Sequence, residues 1–214
     1  LYHIDEKLSC LNGYYVRYSD DMLYIGDDYA QAMTVLQQEL DKMSMKLNPK
    51  KVEYLDSNHW FKFLGFAVKG HDISLSPSRI KTFQKEIERR TVNWRETTLQ
   101  RAVNAVNKYL YKGFDSHSWA TQVLPIINVK RDVSILNTFV LDCLRAVQTG
   151  KKKLGGLGFD KTQKDGCIAR GKGKNVKANR LATEQIIEGY LPIGCAQAAM
   201  LTRRAAYDAL VDNI

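Results

Sequence analysis

The sequence has few of the features that would place it in several large protein classes. Its four cysteines, Cys10, Cys143, Cys167 and Cys195, lie far apart and form no C-x-x-C pair. That disfavours a zinc ribbon or a redox motif and fits reduced thiols in a reducing compartment. His3, His59, His71 and His117 are likewise isolated from one another, so a histidine-based metal site has no support. No stretch approaches the roughly eighteen apolar residues of a membrane span, and the start has no basic-then-apolar signal pattern. A soluble, cytoplasmic protein with no membrane partner is expected. There is no internal repeat. The chain starts with Leu1 and not Met, which leads us to expect further residues encoded upstream.

What is present is enough for real cores. The 214 residues correspond to one large domain or two to three small ones, and 44% of them are hydrophobic, an ordinary fraction for a globular protein. The net charge of +9 is unevenly placed. Between Gly150 and Arg180 ten basic residues (Lys151, Lys152, Lys153, Lys161, Lys164, Arg170, Lys172, Lys174, Lys177 and Arg180) face only Asp160 and Asp165. Such a density favours contacts with polyanion phosphates that release counterions. A solvated linker is the competing reading for a basic stretch of this kind.

Along the chain the character shifts twice. Tyr14 to Tyr18 is an aromatic and β-branched run and Met22 to Ile25 a second, short apolar one, and the two predict a hairpin with Ser19-Asp20-Asp21 at its turn. Asp27 or Asp28 offers an N-cap to a helix whose apolar face runs Met33, Leu36, Leu40, Met43 and Leu47, with Pro49 as its stop. Val52 to Leu55, Phe61 to Val68 and Asp72 to Leu75 read as strands. At Ser76-Pro77 a capping serine and a first-turn proline open a helix with Ile80, Phe83 and Ile87 on one face. Three more helices follow, one with Leu99, Val103, Val106 and Leu110, one with Trp119, Val123 and Leu124, and one running from Val133 to Val147. Together they suggest a compact bundle. The glycine-rich basic stretch after Thr149 has loop chemistry, and Leu181 to Val211 reads as helical with a break at Leu191-Pro192-Ile193-Gly194. The predicted architecture is α+β.

Asp20 and Asp21 carry the chemical interest. An acidic pair at a turn is commonly an ordinary turn, because Asp bonds to its local backbone. Here, however, apolar strands on both sides would bury the hairpin and aim its tip, and carboxylates fixed on strands suit Mg²⁺, a hard cation commonly held by one or two of them plus substrate phosphates.

The run Tyr15-Val16-Arg17-Tyr18-Ser19-Asp20-Asp21-Met22-Leu23-Tyr24-Ile25-Gly26 resembles the Tyr-x-Asp-Asp motif of reverse transcriptases, especially the bacterial group of intron-encoded, retron and diversity-generating enzymes. Leu47-Asn48-Pro49-Lys50-Lys51 is similar to that family's Leu-Asn-x-x-Lys segment, with Val52 where the family often has Thr. Phe63-Leu64-Gly65-Phe66 is similar to its Phe-Leu-Gly turn. The resemblance implies that Asp20 and Asp21 hold catalytic Mg²⁺, that Tyr18 and Ser19 beside them contact substrate, and that Lys51 lies near the incoming triphosphate. It also implies that Phe63, Leu64, Gly65 and Phe66 grip the primer terminus. By the same resemblance residues 1–76 would be the end of a polymerase palm and 77–149 a helical thumb, with a basic extension over 150–214. The partners would be an RNA template, a DNA or RNA primer duplex and dNTPs, tracked by Lys151, Lys152, Lys153, Arg170, Lys172, Lys174, Lys177 and Arg180. Two-metal chemistry needs a further carboxylate, which the family draws from an upstream strand. Asp5 stands too close to Asp20 to serve, so the chain by itself is expected to be inactive. The competing readings are a catalytically silent RNA-binding module and a template-independent, defence-type polymerase. The Gly-Gly-Asp/Glu-Glu-Phe turn of nucleotide cyclases is absent.

Overall fold

The computed structural model describes residues 1–112, 118–150, 155–171 and 187–194. The chain is α+β and divides into two compact units, Leu1–Asp56 and Ser57–Ile214. The division falls well before Ser76-Pro77, where the sequence changes character, so the three strands after Asp56 belong with the helices that follow them.

In the first unit α1 (Tyr2–Ser9) precedes an antiparallel hairpin of β1 (Tyr14–Tyr18) and β2 (Asp21–Ile25), followed by α2 (Tyr29–Lys42) and a short 3₁₀ turn at Pro49–Lys51. Strand alternation puts Tyr15 and Arg17 on one hairpin face with their cross-strand partners Tyr24 and Met22. Tyr15, Met22 and Tyr24 pack with Ile4 and Leu8 of α1 and with Ala32, Leu36 and Leu40 of α2. Two sequence expectations are corrected here. First, α2 ends at Lys42, well short of Pro49. Ser44 takes a left-handed φ of 55°, its amide donates to Asp41 O and the Met45 amide to Leu40 O, which is a Schellman termination. Leu47 packs in the unit core beyond the helix. Second, Val52 to Leu55 is irregular and not a strand. Asp28 does stand at the N-cap of α2, but its side chain makes no capping bond. It accepts instead from the Asn12 amide at 3.1 Å and from the Tyr24 hydroxyl.

In the second unit β3 (Phe61–Phe63), β4 (Phe66–Lys69) and β5 (Asp72–Leu75) form an antiparallel sheet in that order. The single strand expected over Phe61 to Val68 is therefore two strands and a turn. Next come α3 (Pro77–Arg90), α4 (Leu99–Asn107) running on into a π turn at Lys108–Lys112, α5 (Trp119–Gln122), α6 (Lys130–Thr149), and a second hairpin of β6 (Leu157–Phe159) and β7 (Ile168–Arg170). Ser76 caps α3 by accepting from the Arg79 amide, with Pro77 at its first position. Ile80, Phe83 and Ile87 of α3, Val103 and Val106 of α4, and Leu136, Val140 and Leu144 of α6 form one core with Trp60, Ala67 and Leu75.

Residues 155–171 are part of this core, although their glycine and lysine content reads as loop. Asp132, fully buried on α6, accepts from Ser74 Oγ at 2.6 Å and from the amides of Cys167 and Ile168 at 2.9 and 3.0 Å. A single carboxylate thus ties β5, α6 and β7 together. Gly166 leaves room for it, since a Cβ there would stand 2.4 Å from Asp132 Oδ1. The segment 187–194 is held by two side-chain amides. Asn107 bonds Gly189 O and the Leu191 amide, and Asn137 bonds Ile193 O and the Ile193 amide. The helices expected across 181–211 otherwise lie outside the described residues. Among the described residues no helix is long and apolar enough to cross a membrane.

Candidate functional site

The carboxylate tip is built by its neighbours. Tyr18 pairs with Asp21, so the turn consists of Ser19 and Asp20, and Asp21 is the first residue of β2. Ser19 has a φ of 55°, the positive value that a tight two-residue hairpin turn requires at this position. Arg17 fixes the tip to α1. Its Nε and Nη2 donate to Asp5 Oδ1 and Oδ2 at 2.7 and 2.5 Å, while its Nη1 donates to the Ser19 carbonyl at 3.0 Å. The Tyr15 hydroxyl adds a bond to Asp5 Oδ1 at 2.9 Å. Hydrogen bonding from Arg17 holds the Asp5 carboxyl down at about 2. Burial, reinforced by Asp5, pushes the Tyr15 phenol up to about 12. Asp5 is therefore a helical residue with both carboxylate oxygens engaged.

Asp20 and Asp21 contrast with it. Both are exposed, and neither carboxylate has a hydrogen-bond or ion-pair partner among the described residues. Asp21 lies across from Tyr18 on the hairpin face that also carries Tyr14, Val16 and Ile25. That face is open, with Tyr14 79% and Tyr18 66% exposed. The apolar strands thus bury one side of the hairpin and leave the other bare. In chemical terms the tip offers two oxygen-donor side chains on a braced turn, enough to hold part of a Mg²⁺ shell but not to complete it. No group of three or more metal-ligating His, Cys, Asp or Glu side chains occurs among the described residues.

Lys51 ends the 3₁₀ turn that Asn48 caps by accepting from the Lys50 amide at 3.1 Å. Its side chain is exposed and unpaired among the described residues. An open groove of about 440 Å³ in this unit, between α2 and the segment after it, is lined by Met33, Leu40, Met45, Leu47, Pro49 and Tyr54 among others. Leu47 and Pro49 of the Leu-Asn-x-x-Lys segment line it, but Asp20, Asp21 and Lys51 do not, so the groove and the candidate chemistry do not coincide.

The Phe63–Phe66 element lies in the other unit. Phe63 pairs with Phe66, and the turn between them is Leu64 (φ 48°) and Gly65 (φ 81°). Positive φ at both central residues is the type I′ requirement, which Gly meets without strain and Leu does not. The glycine thus marks a hairpin turn and not a bulge within one strand. Arg79, which the sequence reading did not single out, supports this turn. Its guanidinium donates to Leu64 O at 3.3 Å and lies over the Phe66 ring at 4.3 Å.

Of the expected phosphate contacts, Lys151, Lys152, Lys153, Lys172, Lys174, Lys177 and Arg180 lie outside the described residues. Arg170 is described and is engaged, pairing with the buried Asp142 of α6. A cationic line that sequence reasoning passed over runs along α3. Lys81, Lys85 and Arg89 are exposed at four-residue intervals, about 6 Å apart along the axis, with Arg89 also paired to Glu86 at 3.0 Å. The i, i+4 spacing was the available signal. Compared with known protein families, characterised proteins and solved structures, the chain matches none.

Proposed function

We propose that the chain is the C-terminal palm and thumb portion of an RNA-directed DNA polymerase. The first unit carries the metal-binding hairpin, and the helices of the second carry a template-primer duplex. The observation that bears most weight is the contrast between three nearby aspartates. Asp5 is locked to Arg17 and Tyr15, whereas Asp20 and Asp21 are held out at a braced tip with free oxygens. A turn that served only the fold would gain from pairing those carboxylates locally. Mg²⁺ bound there with a nucleotide would stabilise the charge that develops on the transferred phosphoryl group. Lys51 would neutralise or protonate the leaving pyrophosphate. The Phe63–Phe66 turn would meet the primer, and Lys81, Lys85 and Arg89 would face duplex phosphates.

A second reading is favoured by the same geometry of Asp5. With that carboxylate engaged and no third ligand beside the tip among the described residues, a catalytically silent module that binds RNA or hybrid duplex also fits.

Mn²⁺ titration of the chain followed by NMR tests the site. Broadening centred on residues 18–22 and half-complete only at millimolar metal is expected, because two carboxylates leave the shell open. Stoichiometric micromolar binding, or broadening that leaves the tip untouched, would contradict the assignment.

A further inference from the structure

Arg79 sits in the first turn of α3 with its guanidinium wedged against the Leu64–Gly65 turn. A Cβ at position 65 would stand 2.4 Å from Arg79 Nε, so the glycine is what lets the guanidinium close on the backbone. Together with the bond to Leu64 O and the stacking on Phe66, this fixes a planar cation in one orientation. Its charge has no carboxylate partner among the described residues. Arg17 and Arg90, which are also partly buried, each hold one, namely Asp5 and Glu86, and the more exposed Arg170 holds the buried Asp142. Partial burial lowers the pKa of Arg79, as expected of a cation that gives up water without gaining a counter-ion. Among the described residues most of its five donors make no hydrogen bond, and they stand in the fork geometry that matches phosphate.

We propose that Arg79 is a phosphate-binding residue, pre-oriented by Leu64, Gly65 and Phe66 to take one backbone phosphate of nucleic acid lying across this turn. This rests on the reading that the chain binds a template-primer duplex, and it adds a specific anion contact that the motifs do not assign. The alternative is that Arg79 only braces the turn.

Fluorescence anisotropy with a labelled RNA–DNA hybrid separates the two. Wild-type, Arg79→Gln and Arg79→Lys chains would be compared from about 50 to about 200 mM salt. Arg79→Gln is expected to bind about tenfold more weakly at low salt and to flatten the log–log salt slope by about one unit, the signature of one lost phosphate contact. Arg79→Lys keeps the charge, so its slope stays near wild type while its affinity falls because a point charge neither stacks nor forks. In the unaltered chain the Arg79 side-chain Nε–Hε resonance should shift when hybrid is added, a readout that does not depend on a variant folding. A weaker Arg79→Gln complex with the wild-type slope, or an unmoved Nε–Hε resonance, overturns the proposal and leaves a bracing role. If the wild-type chain binds no hybrid at all, the nucleic-acid reading itself fails, and Arg79 falls with it.

Discussion

Replacing Asp132 with alanine should be among the most damaging single changes in the second unit. The carboxylate is fully buried and accepts from Ser74 Oγ, the Cys167 amide and the Ile168 amide. Alanine would leave two buried backbone donors and one hydroxyl without an acceptor. Each buried group left unpaired costs about 1–3 kcal/mol, partly offset because a buried charge no longer has to be desolvated. A net loss of about 4 kcal/mol follows, which for a domain of roughly 150 residues lowers the melting temperature by about 10 °C. Asp132→Asn keeps the volume but turns an amide NH₂ toward groups that are themselves donors, so about 2 kcal/mol is expected. Ser74→Ala removes one bond and should cost about 1 kcal/mol. Urea unfolding measures all three, and hydrogen exchange at Cys167 and Ile168 reports whether β7 loosens first. An Asp132→Ala chain within about 1 kcal/mol of wild type, with those two amides still protected, would refute the view that one carboxylate fastens residues 155–171 to the fold.

Two further outcomes follow from the first unit and one from the second. Glu39, paired with Lys42 and Lys7, and Asp5, paired with Arg17, both titrate at about 2, below their ordinary values of 4.5 and 3.8. A carboxylate whose folded pKa is depressed stabilises the fold above its unfolded pKa and loses that stabilisation as pH falls through the folded value. The first unit should therefore keep full stability above about pH 5 and weaken as pH drops from there toward 2, measured by acid unfolding; a flat profile across that window contradicts the pairing. Arg17→Gln should let the Asp5 carboxyl climb back toward its ordinary range, seen by NMR titration, and free the Ser19 carbonyl; an unchanged Asp5 titration would show that Arg17 is not the cause. Gly65→Ala forces a left-handed alanine, costing about 1–2 kcal/mol, and displaces the Arg79 guanidinium, so a loss of about 2–3 kcal/mol is expected in thermal unfolding, whereas a neutral substitution would mean that the turn rearranges freely.

The sequence displays local chemistry more readily than long-range ties. The start of α3 was legible because Ser76 and Pro77 signal it within two residues, and the hairpin was legible because its alternation is local. The end of α2 was not, because Ser44 takes the left-handed position where glycine is the usual sign. Val52 to Leu55 has strand composition but pairs with no strand among the described residues. The glycine and lysine content of residues 155–171 concealed a hairpin whose anchor, Asp132, lies more than twenty residues earlier and is one acid among many until the fold buries it. The same holds for the candidate site. The motif named Asp20 and Asp21, but neither the brace from Asp5 through Arg17 to Ser19 nor the seat of Arg79 on Leu64 and Phe66 can be read from spacing, since each joins separate elements.

Asp20 and Asp21, on the function proposed above, serve nucleotidyl transfer. Single-turnover incorporation of one dNTP on an RNA template by the proposed polymerase tests this directly when run beside hybrid-binding affinity. Asp20→Ala should abolish incorporation, lowering the rate by about 10³ or more, while hybrid affinity stays within about twofold, because the loss concerns metal positioning and not backbone contact. An Asp20→Ala protein that incorporates at the wild-type rate, or that loses rate and affinity in equal measure, would show that the pair is a structural turn and contradict the account.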